Sequence, residues 1–378
     1  MGVHPGPSVN ARASLLLVVL LGCEGPERPA PSRPPGPPTP TPTPALPSAE
    51  TAPAPVAPLR VTGEATAMGT HLVYAAYTNT KVDADAAQRA FEAATAEIVR
   101  VENLMTTWRD SELSRVNAAA GKAPVTVGDE TRFVVREALH TSQISQGTFD
   151  ITFETLHGLW KFDEDLEPVP PKPAALKKRL GAVGWRHVVV DDTKKTIFLD
   201  HPDTRIGLGG IAKGYAVDRA ASVLRAAGLE SFYVQAGGDL YAEGKKPDGQ
   251  PWSAGIRDPR GSVSQYFALV PLENHAFSTA GDYERSYVLN GKRYHHILDP
   301  RSGNPATACR SVTVWAKTAL QADEIDDAVF ILGPKEGLDL VESIDGIGAV
   351  IVDAKNEVWI SKRLQGVVRV TGAPTDGI

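Results

Sequence analysis

Proline decides how much of this chain can fold. Fourteen of its 30 prolines fall between Pro26 and Pro58. Proline fixes φ and has no amide hydrogen to give to a helix or a ladder. Such a stretch reads as an extended, disordered spacer. From Leu59 onward the composition changes, and no second break follows. We therefore divide the 378 residues into a leader (1–22), a linker (23–58) and one catalytic unit (59–378). A hydrophobic content of 42% is enough to give that unit a core. The net charge of −6 excludes the basic footprint of a nucleic-acid binder. Two cysteines, Cys23 and Cys309, exclude a disulfide scaffold and a cysteine-based zinc site.

The leader carries Arg12 and a short apolar run, Ser14 to Leu21. A bilayer-spanning helix needs roughly 20 apolar residues, so this run reads as a secretory signal. It ends Leu20-Leu21-Gly22-Cys23, which looks like a bacterial lipobox with Cys23 as the lipidated first mature residue. The alternative is an ordinary signal peptide with an incidental cysteine. Two or three acyl chains on one cysteine anchor stably where a single chain does not. About 30 residues of polyproline II would then hold the domain up to roughly 90 Å off the bilayer. Cys309, with no intrachain partner, is expected to be a buried thiol.

In the unit itself, Leu59 to Thr80 suits a strand pair broken at Met68-Gly69-Thr70. Asp83 to Met105 places Ala87, Phe91, Ala94, Ile98, Val101 and Met105 at helical spacing. Helices are also predicted over 129–146, 212–227 and 318–332. Hairpins are predicted at Asp192-Thr193-Lys194, at Asn290-Gly291 and near Lys355-Asn356. Strands and helices do not alternate regularly, which favours an α+β fold over a doubly wound sheet.

Four segments could carry chemistry. Gly207 to Asp218 sets a glycine-rich loop before a helix, either a tight turn or a phosphate contact. It lacks the Ser or Thr after Lys213 that a Walker A motif needs. Tyr294 to Gly303 puts His295 and His296 at the end of a strand, where an imidazole is a base, a phosphate contact or an idle edge residue. In the helix at 318–332, Asp323 and Asp327 share a face at i and i+4. They suit a hard cation such as Mg2+ or a solvated acidic first turn. The last group is Met68-Gly69-Thr70, the stretch from Met105 through Trp108 to Asn117, and Gly147 to Thr152. Each is ordinary alone, and Trp108 and Phe149 read more readily as core.

In this order and register the segments resemble the ApbE family of FAD:protein FMN transferases. The marks are Met68-Gly69-Thr70, Ser111-Glu112-Leu113-Ser114, Phe149-Asp150-Ile151-Thr152 and Leu208 to Asp218. Gln235-Ala236-Gly237-Gly238-Asp239, Ser278 to Arg285, His296 to Gly303 and the Ala322-Asp323 helix complete them. The likeness runs from about Gly63 to Gly333. It implies an α+β, T-fold-related domain that uses Mg2+ and takes FAD as substrate. FMN would pass to a Thr or Ser hydroxyl of an acceptor flavoprotein, with AMP leaving. By the same resemblance Met68, Trp108, Thr148, Phe149, Asp150, Lys213 and Arg219 stand at FAD-contacting positions. Ala216, through its carbonyl, and Asp323 stand at metal positions, and His296 at the transfer position. Asp327 departs from the pattern, which has Thr there. A carboxylate can still hold Mg2+, but it adds charge beside a phosphate. The acceptor implied is a membrane redox subunit exposed to the periplasm. Two alternatives share the site: an FAD pyrophosphatase, with water as nucleophile, and a non-catalytic FAD-binding lipoprotein.

Overall fold

A computed structural model of the protein describes residues 57–162 and 169–377. Cys23 and the proline-rich linker up to residue 56 lie outside the described residues. Among the described residues no helix is long and apolar enough to cross a membrane.

The chain opens with a hairpin, β1 (Arg60–Ala67) and β2 (Thr70–Tyr77). Ala67 faces Thr70, so Met68 and Gly69 alone make the turn, with φ of 51° and 68°. A two-residue hairpin turn of this hand needs positive φ at both positions. Helix α1 (Ala84–Met105) follows, capped by the Asp83 side chain on the amide of Ala86, and all six residues of the expected apolar face are buried. Then come α2 (Glu112–Ala118), β3 (Val125–Thr126), α3 (Asp129–Ile144), α4 (Pro173–Leu180) and the hairpin β4 (Val188–Asp191)–β5 (Thr196–Leu199). Helix α5 (Ala212–Ala226) leads into β6 (Phe232–Ala236) and β7 (Asp239–Glu243). Next are β8 (Trp252–Arg257), β9 (Tyr266–Leu272) and β10 (His275–Gly281). A hairpin of β11 (Ser286–Leu289) and β12 (Lys292–His295) turns at Asn290-Gly291, as its sequence predicts. After β13 (Leu298–Asp299) and β14 (Asn304–Pro305) come β15 (Cys309–Ala316), α6 (Ala319–Leu332) and α7 (Pro334–Ser343). The chain closes with β16 (Gly348–Asp353), β17 (Val358–Ile360) and β18 (Arg369–Val370).

Eight strands form the main sheet in the order β1-β2-β6-β7-β10-β15-β16-β17. Every pairing in it is antiparallel. Successive side chains of a strand point to opposite faces, and both faces here are covered. Tyr74, Ala76, Ala349 and Ile351 join the helices on one side, whereas Ala75, Val350 and Val352 join the packing with β8 and β9 on the other. The second sheet, β18-β9-β8, therefore caps the face away from the helices. The expected α+β class holds. Helices α2, α4 and α7 and this capping sheet are additions that the periodicity did not give.

Candidate active site

Two helices cross at the chemistry, and a glycine lets them. A Cβ on Gly214 of α5 would clash with the carbonyl of Ala319 at the start of α6, and would lie 2.8 Å from the Cβ of Asp323. Two residues of neighbouring turns finish the joint. Asp218 of α5 accepts the amides of Ala319 (2.8 Å) and Leu320 (2.9 Å), capping α6 from the side. The amide of Gly214 donates to Asp323 Oδ2 at 2.9 Å. Near the N-terminus of α5 this amide thus holds a protein carboxylate, where the sequence alone allows either a tight turn or a phosphate contact.

Around this joint lie four aspartates and one lysine. Lys213 Nζ stands 2.7 Å from Asp239 Oδ2 and 3.5 Å from Asp323 Oδ1. Ser278 Oγ lies 2.7 Å from Asp239 Oδ1 and 2.6 Å from Asp326 Oδ2. A hydroxyl has one hydrogen to give, so one of these contacts needs a proton on a carboxyl. Asp326 fits that role. Its burial, followed by repulsion from Asp327, Asp323 and Asp239, raises its pKa well above the carboxylate range. Burial also raises Asp323, reinforced by Asp239 and offset by Lys213 and the Gly214 amide. Burial raises Asp327 likewise, with Lys213 opposing. For Lys213 burial works against the charge, but Asp239, Asp323 and Asp326 outweigh it and hold the ammonium above the usual lysine range. These aspartates are buried, apart from Asp327, which is half-buried. The solvated acidic turn that the sequence allowed is therefore not what forms.

Charge and donor type both fit a hard cation here. One lysine leaves the acidic group short of positive charge, and every donor is oxygen. Among the described residues no three His, Cys, Asp or Glu side chains converge as a metal cage. Mg2+ commonly binds through one or two carboxylates, keeping waters and substrate phosphates for the rest. Asp323 and Asp327 match that pattern. Asp327 faces the glycine-rich loop, where a Cβ on Gly210 would lie 2.8 Å from Asp327 Oδ2 and 3.3 Å from the ring of Phe149. Gly210 thereby keeps space open beside this carboxylate.

A second wall is built from the β1–β2 turn and the segments around β11 and β12. The amide of Met68 donates to Glu102 Oε2 at 2.9 Å. Gly69 lies beside Arg285, whose carbonyl accepts the amide of His296 at 3.1 Å. The two histidines diverge: β12 ends at His295, and His296 sits at the bend just beyond it. His295 is buried, donates from Nε2 to the carbonyl of Ala306 at 2.8 Å and packs edge-on against Phe330. His296 is exposed. Protein crowds around it nonetheless, and that crowding, with the charges of His295, Arg285 and Lys213, lowers its pKa. His296 therefore stays neutral near pH 7.

Other expected residues are placed as follows. Thr148 and Phe149 are buried next to α6, with Thr148 Oγ1 3.4 Å from the carbonyl of Ala328. Asp150 is fully engaged with its own chain: it accepts from the amide (2.8 Å) and hydroxyl (2.6 Å) of Thr152 and the amide of Trp185 (2.7 Å). Trp108 is 75% exposed. Ala216 is buried inside α5. Arg219 turns from Lys213 toward α1 and α3, 3.0 Å from Glu97 and 3.8 Å from Glu130. Cys309 is buried, as expected. Asp239, Ser278, Asp326 and Arg285 were not singled out by the sequence reading. The signal was present, since Asp239 closes Gln235 to Asp239 and Ser278 and Arg285 bound Ser278 to Arg285.

Comparison with known proteins agrees with this arrangement. The sequence pattern of the ApbE family matches residues 68–351. An FAD:protein FMN transferase of Klebsiella pneumoniae is 32% identical over 278 residues, covering 71% of this chain and 79% of the relative. One of Salmonella typhimurium is 33% identical over 270 residues, covering 69% and 77%. The crystal structure of the Thermotoga maritima ApbE protein superposes with a TM-score of 0.75 at 30% identity, covering 82% of this chain and 100% of that one. The Pseudomonas stutzeri flavinyl transferase ApbE, in its apo form, gives 0.72 at 29%, covering 84% and 98%. With the family pattern spanning the two crossed helices, the glycine-rich loop and both histidines, the chain belongs to the ApbE family.

Proposed function

We propose that the protein is an FAD:protein FMN transferase, moving FMN from FAD to a Thr or Ser hydroxyl of an acceptor flavoprotein. The observation that carries this reading is the meeting of Lys213, Asp323 and Asp327 beside the glycine-rich loop, with His296 on the facing wall. In the reaction the acceptor oxygen forms a bond to the FMN-side phosphorus of FAD. The bond from that phosphorus to the bridging oxygen breaks, and AMP leaves. Phosphoryl transfer of this kind is largely positioning and electrostatics.

Each residue has a part. Asp323 and Asp327, with the carbonyl of Ala216, would hold Mg2+. When bound, Mg2+ would neutralise charge on the pyrophosphate. Lys213 opposes the effect of burial on Asp323 and Asp327 and adds positive charge to the same pocket. His296, neutral at pH 7, accepts the proton of the acceptor hydroxyl. Bound phosphates would raise its pKa and make it a better base. Met68, Trp108, Thr148 and Phe149 form the surroundings for the flavin and its linker.

Location completes the proposal. Cys23 lipidation and the linker would hold the domain on the outer side of the bacterial cell membrane, facing the periplasm, where a membrane redox subunit is the acceptor. Cys23→Ser should then release the protein from the membrane fraction or leave it unprocessed, and unchanged fractionation would sink the anchor. For the activity, the protein is incubated with FAD and Mg2+, with and without an acceptor peptide. A fluorescent FMN adduct on the peptide, together with AMP, is expected. AMP and free FMN without the adduct would mean a pyrophosphatase, and intact bound FAD in both arms a storage protein.

A further inference from the structure

Between the glycine-rich loop and Trp108 lies a pair of titratable side chains that the transfer chemistry does not use. Glu154 keeps only 16% of its side chain exposed. It fills the space that Gly207 leaves: a Cβ there would lie 2.8 Å from Glu154 Oε2 and 3.1 Å from its Cβ. On its other side Glu154 Oε1 stands 3.5 Å from His157 Nδ1 and 3.5 Å from the hydroxyl of Thr107. His157 in turn meets Trp108 edge-on, ring centroids 5.1 Å apart at 69°. The line runs Gly207, Glu154, His157, Trp108, from the glycine-rich loop to the exposed indole.

The backbone around Trp108 is already fixed by other means. Ser111 Oγ donates to the carbonyl of Thr106 at 2.5 Å, and Ser111 and Ser114 cap α2 reciprocally. What remains undetermined is the indole's rotamer, and 75% of Trp108 faces solvent. An exposed side chain populates several rotamers unless a neighbour selects one. His157 is the ring that does so, and Glu154 holds His157. Burial raises the pKa of Glu154, and the neighbouring His157 opposes this.

We propose that Glu154 and His157 are positioning residues that fix the indole of Trp108 as the flavin-side wall of the cleft. This rests on the transferase reading, since a wall needs a flavin to meet. The pair acts before chemistry: it preorganises the binding surface and leaves the phosphorus, the acceptor oxygen and His296 untouched.

The test separates the clamp from the flavin. The full chain is labelled with 5-fluorotryptophan, and the resonance of Trp108 among the six tryptophans is assigned by its loss in Trp108→Phe. In the apo protein His157→Ala should shift and narrow that resonance, Glu154→Gln should move it in the same direction, and His157→Phe should restore it. With FAD and Mg2+, His157→Ala should raise the Kd for FAD about tenfold, the ratio matching the ~1.4 kcal/mol upper range of an edge-to-face pair. The rate at saturating FAD should stay within about twofold, because ground-state positioning alone is lost. The double variant Trp108→Phe/His157→Ala should bind FAD no worse than Trp108→Phe. An unmoved Trp108 resonance overturns the clamp. A moved resonance with unchanged FAD affinity, or additive losses in the double variant, overturns its role toward the flavin. Wild-type protein that binds no FAD overturns the transferase reading, while the apo resonance still decides the clamp.

Discussion

Lys213 and Asp239 make a 2.7 Å ion pair in which the carboxylate is fully buried and a third of the lysine, 34%, reaches solvent. The same ammonium is the only cation paired with Asp323, at 3.5 Å, among the described residues. Lys213 is thus a structural counter-ion before any ligand arrives. Removing one partner of a buried pair costs about 3–5 kcal/mol, and the exposed part of Lys213 lowers that to about 2–3. Lys213→Met should lose this much stability in urea titration, and Mg2+ should restore part of it. An unchanged midpoint would remove the lysine from the site's electrostatics.

The two candidate metal ligands should respond differently. Asp323 also accepts the amide of Gly214, so Asp323→Asn keeps a polar partner there while lowering the ligand charge. We expect Asp323→Asn to reduce Mg2+ affinity by about 100-fold, at the upper end of the losses typical for groups that merely support a ligand. FMN transfer should fall with it while the fold persists. Asp327→Thr removes one negative charge from beside the glycine-rich loop, and transfer should be retained or improved. Mg2+ titration by calorimetry, paired with rates of FMN attachment, checks both.

The α1–α5 contact carries a pH signature. Hydrogen bonding to Arg100, against an opposing effect of burial, and the further bond from Arg219 lower Glu97 from 4.5 to about 2. Between those values the unfolded chain binds a proton that the folded one does not. The stabilisation is complete above pH 4.5 and is lost as pH falls toward 2. Glu97→Gln should therefore be less stable than wild type at pH 7, with the gap closing on acidification. A gap that is constant from pH 6 to pH 3 would contradict the ion-pair account.

How far the sequence led is visible in single residues. Met68-Gly69 and Asn290-Gly291 announced their turns because positive φ is a local demand. The buried stripe of α1 was legible because its period is local too. The carboxylate cluster was not. Asp239, Ser278 and Asp326 come from β7, β10 and α6, and only the antiparallel order β7-β10-β15 with α6 laid over it makes them neighbours. For Asp323 and Asp327 the sequence left a cation site and a solvated turn both open, because an i, i+4 spacing says which face they share but not what covers it. Arg219 shows the reverse: the family position marks it for FAD, yet its guanidinium lies against Glu97.

Cys309 offers a check on packing that is independent of activity. It is buried, and burial, with the charges of Asp353 and Asp282, pushes its thiol up to about 12. The thiolate is the reactive form, so at pH 8 a Cys23→Ser variant should give almost no thiol reaction with a disulfide reagent. In denaturant one thiol per chain should react fully. Fast reaction in the folded state would mean that β15 opens at its start.

The histidine pair allows the sharpest test of mechanism. His295 and His296 are adjacent in sequence and differ in exposure, one buried and one open to solvent. His295 spends Nε2 on the carbonyl of Ala306 and packs edge-on against Phe330, so it belongs to the core. His296 is exposed, joined through its amide to Arg285, and crowding by protein, aided by nearby charges, lowers its pKa. General-base help is commonly worth about 10²–10⁴-fold. His296→Ala should cut FMN transfer by that order while FAD binding persists, since the glycine-rich loop, Lys213 and the Mg2+ that Asp323 would hold remain to bind the pyrophosphate. His295→Ala should instead lose about 1–3 kcal/mol of stability and keep most of the transfer rate in protein that remains folded. The measurements are FMN attachment rate, FAD affinity and urea midpoint for both variants. Loss of transfer in His295→Ala with a normal midpoint would put the base on the wrong residue. Full activity in both would leave the acceptor proton to solvent, and positioning alone would carry the reaction.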